Sequence, residues 1–335
     1  MSIFNFSPGE DSSYKELIKQ AKTYIPISTA LNGQTLVGHV KKAIQNYLYK
    51  TISREFYLAV DAAADGVYPA DLIDMIRRVV FNFAFSSFSA SGNLQISNVG
   101  FTEAKTSTQD PARLELINNF RNETFDTAMK ELDEILYFIE SQVAIQNQAA
   151  KYTLFTASLE KEKLGELLIS TATEFSSYYP INDSRLVFNA LRQDLKFLQN
   201  SKLKPLLYDL YDLVLNSDDA DIDDLRVNYI KPALTHLAIA RGVQKLTAIL
   251  GLYGTITIFD NSANNYARTH KTAPMELLKA YQEAAQQQGE QYLNDMIEFI
   301  KENPNTYSAY PHNEPADFDD DDSHALHEHP RLFVL

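Results

Sequence analysis

Three histidines near the C-terminus, His324, His327 and His329, are the residues whose spacing comes closest to a metal site. They follow the acidic run Asp317–Asp322, and imidazole and carboxylate groups are ligands for zinc and related metals. The histidine spacing differs from that of a helical H-E-x-x-H site. The aspartate run lacks the glycine and the terminal glutamate of a calcium-binding loop. We therefore predict no metal site and no bound cofactor.

Other candidates for chemistry have ordinary structural interpretations. The isolated glycines form neither a dinucleotide nor a phosphate-binding loop, and no G-x-S-x-G elbow occurs. Glu131, Asp133 and Glu134 lie beside Lys130, which is typical of a solvated helix face. The run Asp218–Asp224 is typical of acids that precede a helix start, where the helix dipole favours negative charge. We predict no catalytic residue and no enzymatic activity.

Charge and composition narrow the classes of function. The 335 residues carry a net charge of −14, which argues against general nucleic-acid binding without excluding a local basic lining. There are no cysteines, so disulfides and thiolate metal sites are excluded. The N-terminus lacks the features of a signal peptide, and the most apolar stretch, Val79–Phe88, is shorter than the roughly 20 residues of a membrane span. We expect no contact with a membrane.

Similar sequence segments, which would position any functional residues, recur along the chain. Leu36-Val37 is repeated as Leu186-Val187, a spacing of 150 (186 minus 36), and Asp71-Leu72 as Asp224-Leu225. Later the spacing is 161 (293 minus 132), where four residues match four others: Leu132, Leu136, Phe138 and Ile139 with Leu293, Ile297, Phe299 and Ile300. A spacing that grows in one direction is what small loop insertions would cause. Repeats of this kind predict a duplicated architecture.

The predicted fold class is mainly α, with two tandem helical-bundle modules. The first module spans residues 1–150 and the second 151–303, and residues 304–335 form an acidic extended tail containing proline and histidine. Each module has an opening helix, three more helices, a short β segment (about 94–102 and 255–259) and a long closing helix.

Local signals place the helices more closely. The opening helices run from about Ser12 to Tyr24 and from about Glu160 to Tyr178. Asp183 and Ser184 are N-cap candidates for the next helix. Pro205 is expected to start a helix, Leu206–Leu215, whereas Pro232 should kink the helix Leu225–Leu246.

The closing helices have the clearest apolar stripes. The two stripes are Leu116, Phe120, Phe125, Ala128, Leu132, Ile135, Leu136 and Ile139, and then Leu277, Tyr281, Ala285, Tyr292, Met296, Ile297 and Ile300.

The tail supplies the candidate partner-docking residues. A segment this acidic cannot bury enough apolar surface to fold alone, yet it ends on four apolar residues. It could dock on a partner by folding upon binding, or line a channel and repel DNA. The candidate docking residues are Phe318, Leu332, Phe333, Val334 and Leu335.

Four stretches resemble a protein family: Glu16–Leu58, Asp126–Glu140, Glu166–Leu207 and Tyr229–Gly242. The pattern is similar to an uncharacterised family from phages and prophages of Bacteroidetes-type hosts, whose members look like head–tail connector, or neck adaptor, proteins. The resemblance covers nearly the whole chain except the tail, and its motifs are packing patterns.

The resemblance implies a virion structural protein made in the host cytoplasm. Connector adaptors are helical subunits arranged in a ring, commonly dodecameric, between the portal and tail proteins, with DNA passing through the channel. A duplicated module would give either a ring with two tiers of domains or a lower copy number with the same pseudo-symmetry. A cellular helical-repeat scaffold and an enzyme with an unfamiliar site remain the alternatives.

Overall fold

The computed structural model of the chain is mainly helical, and the predicted fold class of mainly α is confirmed. Among the helices it describes, none is both long and apolar enough to cross a bilayer. The structure describes residues 3–4, 11–25, 33–91, 94–97, 100–103, 114–145, 148–161, 167–253, 257–258, 271–272 and 275–311.

The first half runs from an opening helix to a long closing helix. Its helices are α1 (Asp11–Tyr24), α2 (Gly33–Ala43), a π-helical segment (Ile44–Leu48), α3 (Tyr49–Thr51), α4 (Arg54–Ala62), α5 (Ala70–Ser91) and α6 (Leu114–Ala144). Between α5 and α6 the strands β1 (Leu94–Ser97) and β2 (Gly100–Glu103) pair antiparallel. A 3₁₀ turn (Ala149–Tyr152) and α7 (Thr153–Lys161) follow α6.

The second half has its elements in a similar order. They are α8 (Ala172–Tyr178), α9 (Arg185–Leu198), a π-helical segment (Gln199–Leu203), α10 (Lys204–Leu207), α11 (Leu210–Asn216), α12 (Ala220–Leu225), a further π-helical segment (Arg226–Ile230), α13 (Lys231–Tyr253), the antiparallel strands β3 (Thr257–Ile258) and β4 (Lys271–Thr272), and α14 (Met275–Glu302). α13 and α14 pack along each other, as α5 and α6 do, and α9 packs on α13 as α2 packs on α5.

Buried apolar side chains form two separate clusters. One holds residues from Ile3 to Phe155 and the other residues from Ile169 to Tyr310. The first cluster passes the boundary predicted at residue 150, because Tyr152 is fully buried and its ring lies 5.7 Å from that of Phe56. The second includes Tyr307 and Tyr310, so the start of the predicted extended tail packs on the second bundle instead.

The closing helices bury the same positions at one constant spacing. Buried residues of α6 are matched by buried residues of α14 at a spacing of 161 (285 minus 124). The six pairs are Thr124 and Ala285, Ala128 and Gly289, Leu132 and Leu293, Ile135 and Met296, Leu136 and Ile297, and Ile139 and Ile300. Leu277 and Tyr281, predicted in this stripe, are instead exposed, because the buried side chain in the first turn is that of Leu278.

Earlier helices match at other spacings. The buried residues Leu36, Val40, Leu48 and Ile52 correspond to the buried residues Leu191, Leu195, Leu203 and Leu207 at a spacing of 155 (191 minus 36). Leu72 corresponds to Leu225 at a spacing of 153, whereas Val79 corresponds to Ala233 at 154 (233 minus 79). The π-helical segment Arg226–Ile230 lies between these points, and a π-bulge accommodates one extra residue.

Two predictions about the repeat are therefore wrong. The spacing does not grow in one direction, since it falls before it rises. Leu36 does not match Leu186, because Leu36 is fully buried inside α2 whereas Leu186 lies in the first turn of α9 and packs against the first cluster.

Other local predictions are corrected in the second half. The helix predicted over Glu160–Tyr178 is interrupted, because Thr171 caps a new helix by accepting a hydrogen bond from the Glu174 amide at 3.1 Å. The helix predicted over Leu206–Leu215 breaks at Tyr208, whose φ is 50°. The acids before Ala220 do precede a helix start, as predicted, since Asp219 caps α12.

Candidate assembly interface

The best-defined contact between the two clusters lies at the turn that leads into α9. Asn182 and Asp183 both have a φ of 54°, a left-handed conformation that short polar side chains tolerate better than most. The Asp183 amide donates to Ser176 Oγ at 2.9 Å, which fixes the turn to α8. Ser184 then caps α9 by accepting from the Val187 amide at 3.3 Å, as predicted.

Asp133 on α6 reaches this helix start from the other bundle. Its Oδ1 accepts the Ser184 hydroxyl at 3.1 Å and the Leu186 amide at 2.8 Å. A carboxylate at a helix N-terminus is also favoured by the helix dipole. The side chain of Leu186 packs against the first cluster. Two hydrogen bonds and one apolar contact thus join the two halves at the same point.

A second pair of contacts lies at the rim of this junction. Arg185 Nε pairs with Glu140 Oε2 at 2.8 Å, and the guanidinium lies 4.5 Å from the centre of the Tyr137 ring. The Glu140 and Tyr137 side chains are 46% and 58% exposed. An ion pair with an exposed partner contributes little, about 0–1 kcal/mol. Asp133 therefore carries most of the polar stabilisation of the junction.

The acids beside Lys130 are not a uniformly solvated face, so that prediction is wrong for two of them. Asp133 forms the junction, and Glu131 is half-buried 3.5 Å from Arg78 Nη1. Burial raises the pKa of Glu131, an effect that Arg78 partly opposes. Asp133 directly follows the buried Leu132 and so lies at the flank of the apolar stripe. That position is the sequence signal that could have found it.

The pair His39 and Ser87 has the geometry of a hydroxyl activated by a base. His39 Nδ1 lies 2.9 Å from Ser87 Oγ, between α2 and α5. Asp194 and Arg241 form an ion pair in which the two side chains lie 2.8 Å apart between α9 and α13. Each pair joins two helices that pack on each other, and we interpret both as polar packing contacts.

The residues predicted to dock partners, Phe318 and Leu332–Leu335, lie outside the described residues, as do His324, His327 and His329. Their docking role stays a prediction. Within the described ranges, no group of three His, Cys, Asp or Glu residues could hold a metal ion.

Comparison with known proteins places most of the chain in one family. A family model described as a family of unknown function, DUF6712, matches residues 9–163 and 195–319. No curated protein matches the chain, and no solved structure does.

Proposed function

We propose that this chain, which belongs to the DUF6712 family, is a virion structural protein, a head–tail connector or neck adaptor subunit. It has no enzymatic role and forms a ring between the portal and tail proteins, with DNA passing through without sequence-specific contacts. Each chain contributes two tandem copies of one helical module, each with a short β segment.

The matching irregularities of the two halves support the duplication. The π-helical segments Ile44–Leu48 and Gln199–Leu203 occupy the same place after the second helix, at a spacing of 155 (199 minus 44). At the same spacing, Ser53 and Tyr208 both have a positive φ, 69° and 50°. A positive φ is uncommon at residues other than glycine, so its recurrence at one spacing is hard to obtain from generic helix packing.

The polar pairs across corresponding helices support it as well. His39 and Asp194 stand at a spacing of 155 (194 minus 39), and their partners Ser87 and Arg241 at a spacing of 154 (241 minus 87). These are the spacings at which the buried apolar residues of the same helices match. The chemistry of the pair has changed while its place in the bundle has not.

The junction between the two halves is the observation that best supports the proposed ring. It joins two different surfaces, the side of α6 around Asp133 and the start of α9 at Ser184. A contact between unlike surfaces is heterologous, and its repetition gives a closed ring when the rotation closes. Two related modules already joined in this way form the beginning of such an arrangement.

The resemblance to phage connector proteins supports the proposal that the ring belongs to a virion. The four stretches that carry it fall largely on α1 to α4, α6, α8 to α10 and α13, which are elements of the two cores. The acidic balance of the chain fits a channel that DNA must traverse without binding.

Native mass spectrometry and negative-stain electron microscopy of the purified full-length chain test the proposal. We expect closed rings with a central opening and one dominant subunit number. A chain that stays monomeric at high micromolar concentration contradicts the ring. Sequencing the genome around the gene tests whether the protein belongs to a virion. We expect genes for portal, capsid and tail proteins to adjoin it.

A helical-repeat scaffold is the second candidate, and one observation favours it. Leu58 and Leu213 are 40% and 45% exposed and occupy corresponding positions, again at a spacing of 155 (213 minus 58). Each module therefore presents an apolar side chain at the same place, as a repeat that binds protein ligands would. A monomer whose gene lies among cellular genes would favour this function over the connector.

A further inference from the structure

We infer that the outer face of the second helix of each module contacts the backbone of double-stranded DNA as the DNA passes through the ring. Each second helix is continuous through its π-helical segment, from Gly33 to Thr51 in the first module and from Arg185 to Leu207 in the second. The inference rests on the proposed ring and names the surface that lines its channel.

The second helix of the first module lies in a stretch without acidic residues. From Leu17 to Arg54 the sequence has no aspartate or glutamate, although 44 acids in 335 residues would place about five in 38 residues (38 times 44 divided by 335). The stretch has six basic residues, which are Lys19, Lys22, Lys41, Lys42, Lys50 and Arg54. A chain with a net charge of −14 therefore has one segment of charge +6, which leaves −20 on the rest.

The second helix of the other module is also poor in exposed acids. From Arg185 to Leu207 its one carboxylate is that of Asp194, which is 2% exposed and paired with Arg241. Lys202 and Lys204 are exposed on the same helix, and Lys196 is half-buried. Neither of these two described helices thus presents a carboxylate to solvent.

The polar positions of the two faces match at the spacing of the buried ones, which is 155. Lys41 corresponds to Lys196, and three exposed polar residues correspond to three others (189 minus 34). These pairs are Gln34 and Asn189, Gln45 and Asn200, and Asn46 and Ser201. Gln34, Lys41 and Gln45 follow one another by seven and four residues, so they lie along one side of the helix. Lysine, amide and hydroxyl side chains are groups with which proteins contact phosphates.

The charge of DNA selects these faces among the surfaces of the ring. In a ring of repeated modules, corresponding faces have the same orientation relative to the axis. DNA carries one negative charge per about 1.7 Å of its length, so it is repelled by acidic surfaces and approaches those that lack carboxylates. A few lysines on each chain bind phosphates weakly at physiological salt. DNA is therefore positioned in the channel and can still slide, without contacts to its bases.

Fluorescence anisotropy of a labelled DNA duplex, titrated with the full-length chain, tests the inference. Each lysine in contact with a phosphate adds about 0.9 to the slope of log affinity against log salt, so four contacts weaken binding about 150-fold between about 50 and 200 mM salt. We expect binding at the lower concentration with at least this salt dependence. Two duplexes of unrelated sequence should bind equally, because the contacts are to the backbone.

Two double variants remove lysines from the faces. Lys41→Gln with Lys196→Gln removes one corresponding lysine from each face, and Lys42→Gln with Lys204→Gln does so at two exposed positions. Each should lower the affinity at about 50 mM salt by about tenfold or more and reduce the salt slope by about 2. Circular dichroism and ring formation should not change.

Lys279→Gln with Lys301→Gln is the matched control. Both lysines are exposed on α14, away from the second helices in the sequence, and the change in net charge is the same. This variant should alter the affinity by less than about twofold, because its lysines contact no phosphate.

The outcomes separate this inference from the proposed function. Rings that do not bind the duplex overturn the inference and leave the ring proposal standing. An equal loss of affinity in the face variants and the control also overturns it, because the effect would come from net charge alone. Binding of poly-L-glutamate but not of the duplex, at equal charge concentration, indicates an acidic protein partner and overturns it too. A monomeric chain overturns the proposed ring together with the channel that these faces would line.

Discussion

Replacing Asp133 with alanine should weaken the contact between the two bundles by an amount that the geometry sets. The variant removes two hydrogen bonds to one carboxylate oxygen, from the Ser184 hydroxyl at 3.1 Å and the Leu186 amide at 2.8 Å. Hydrogen bonds to charged groups contribute about 1.5–3 kcal/mol each. Both sites are only partly buried, so water can replace part of the loss. We expect the free energy of unfolding to fall by about 2 kcal/mol.

Urea unfolding followed by circular dichroism measures the total, and hydrogen exchange at the Leu186 amide measures the local effect. Glu134→Ala is the matched control, because Glu134 is the next residue of α6, carries the same charge and is exposed. It should change the stability by less than about 0.5 kcal/mol, as surface substitutions do. Asp133→Asn keeps an oxygen acceptor and should lose about half as much. Equal stability of Asp133→Ala and Glu134→Ala would refute the reasoning, as would unchanged exchange at Leu186.

Three other predictions concern the packing within the bundles. Gly289→Ala should destabilise the chain by about 1–3 kcal/mol, because a Cβ there would lie 2.6 Å from Leu237 Cγ. A Cβ at Gly38 would meet nothing within 4 Å, so Gly38→Ala should stabilise the chain by up to about 1 kcal/mol. Thermal unfolding of the two variants compares these effects. Arg241→Ala should cost more than Asp194→Ala in the same assay, because it removes the cation that pairs with a buried carboxylate, whereas the Arg241 side chain is 39% exposed and can still contact water. Burial raises the pKa of Glu131 from 4.5 in the folded chain, so protonated Glu131 stabilises the fold, and this stability is lost as the pH rises through 4.5 and the folded pKa. Glu131→Gln cannot titrate and should therefore flatten the fall in the urea midpoint above pH 4.5. An unchanged pH profile would contradict the assignment.

The sequence was sufficient to predict the long elements and their caps. The closing helices are confirmed because a stripe repeated over many turns is insensitive to local detail. Ser184 is confirmed as a cap because capping depends only on a side-chain oxygen within three residues of the amide it binds. The sequence gives no indication of the helix break at Tyr208. A bulky residue adopts a positive φ because its surroundings impose that conformation, not because its own preference favours it.

The register of the proposed repeat could not be predicted from identical residues. Helix packing constrains volume and burial, so Val40 matches Leu195 and Ala128 matches Gly289 without identity. Leu36 and Leu186 are identical residues, but only Leu36 is fully buried. An inserted residue absorbed by a π-helical segment then shifts the spacing without leaving a loop to mark it.

The junction was missed because its two sides are far apart in the chain and each has a sufficient local explanation. Asp133 sits among charged neighbours, and Ser184 already has an amide to cap. Only the fold brings them together.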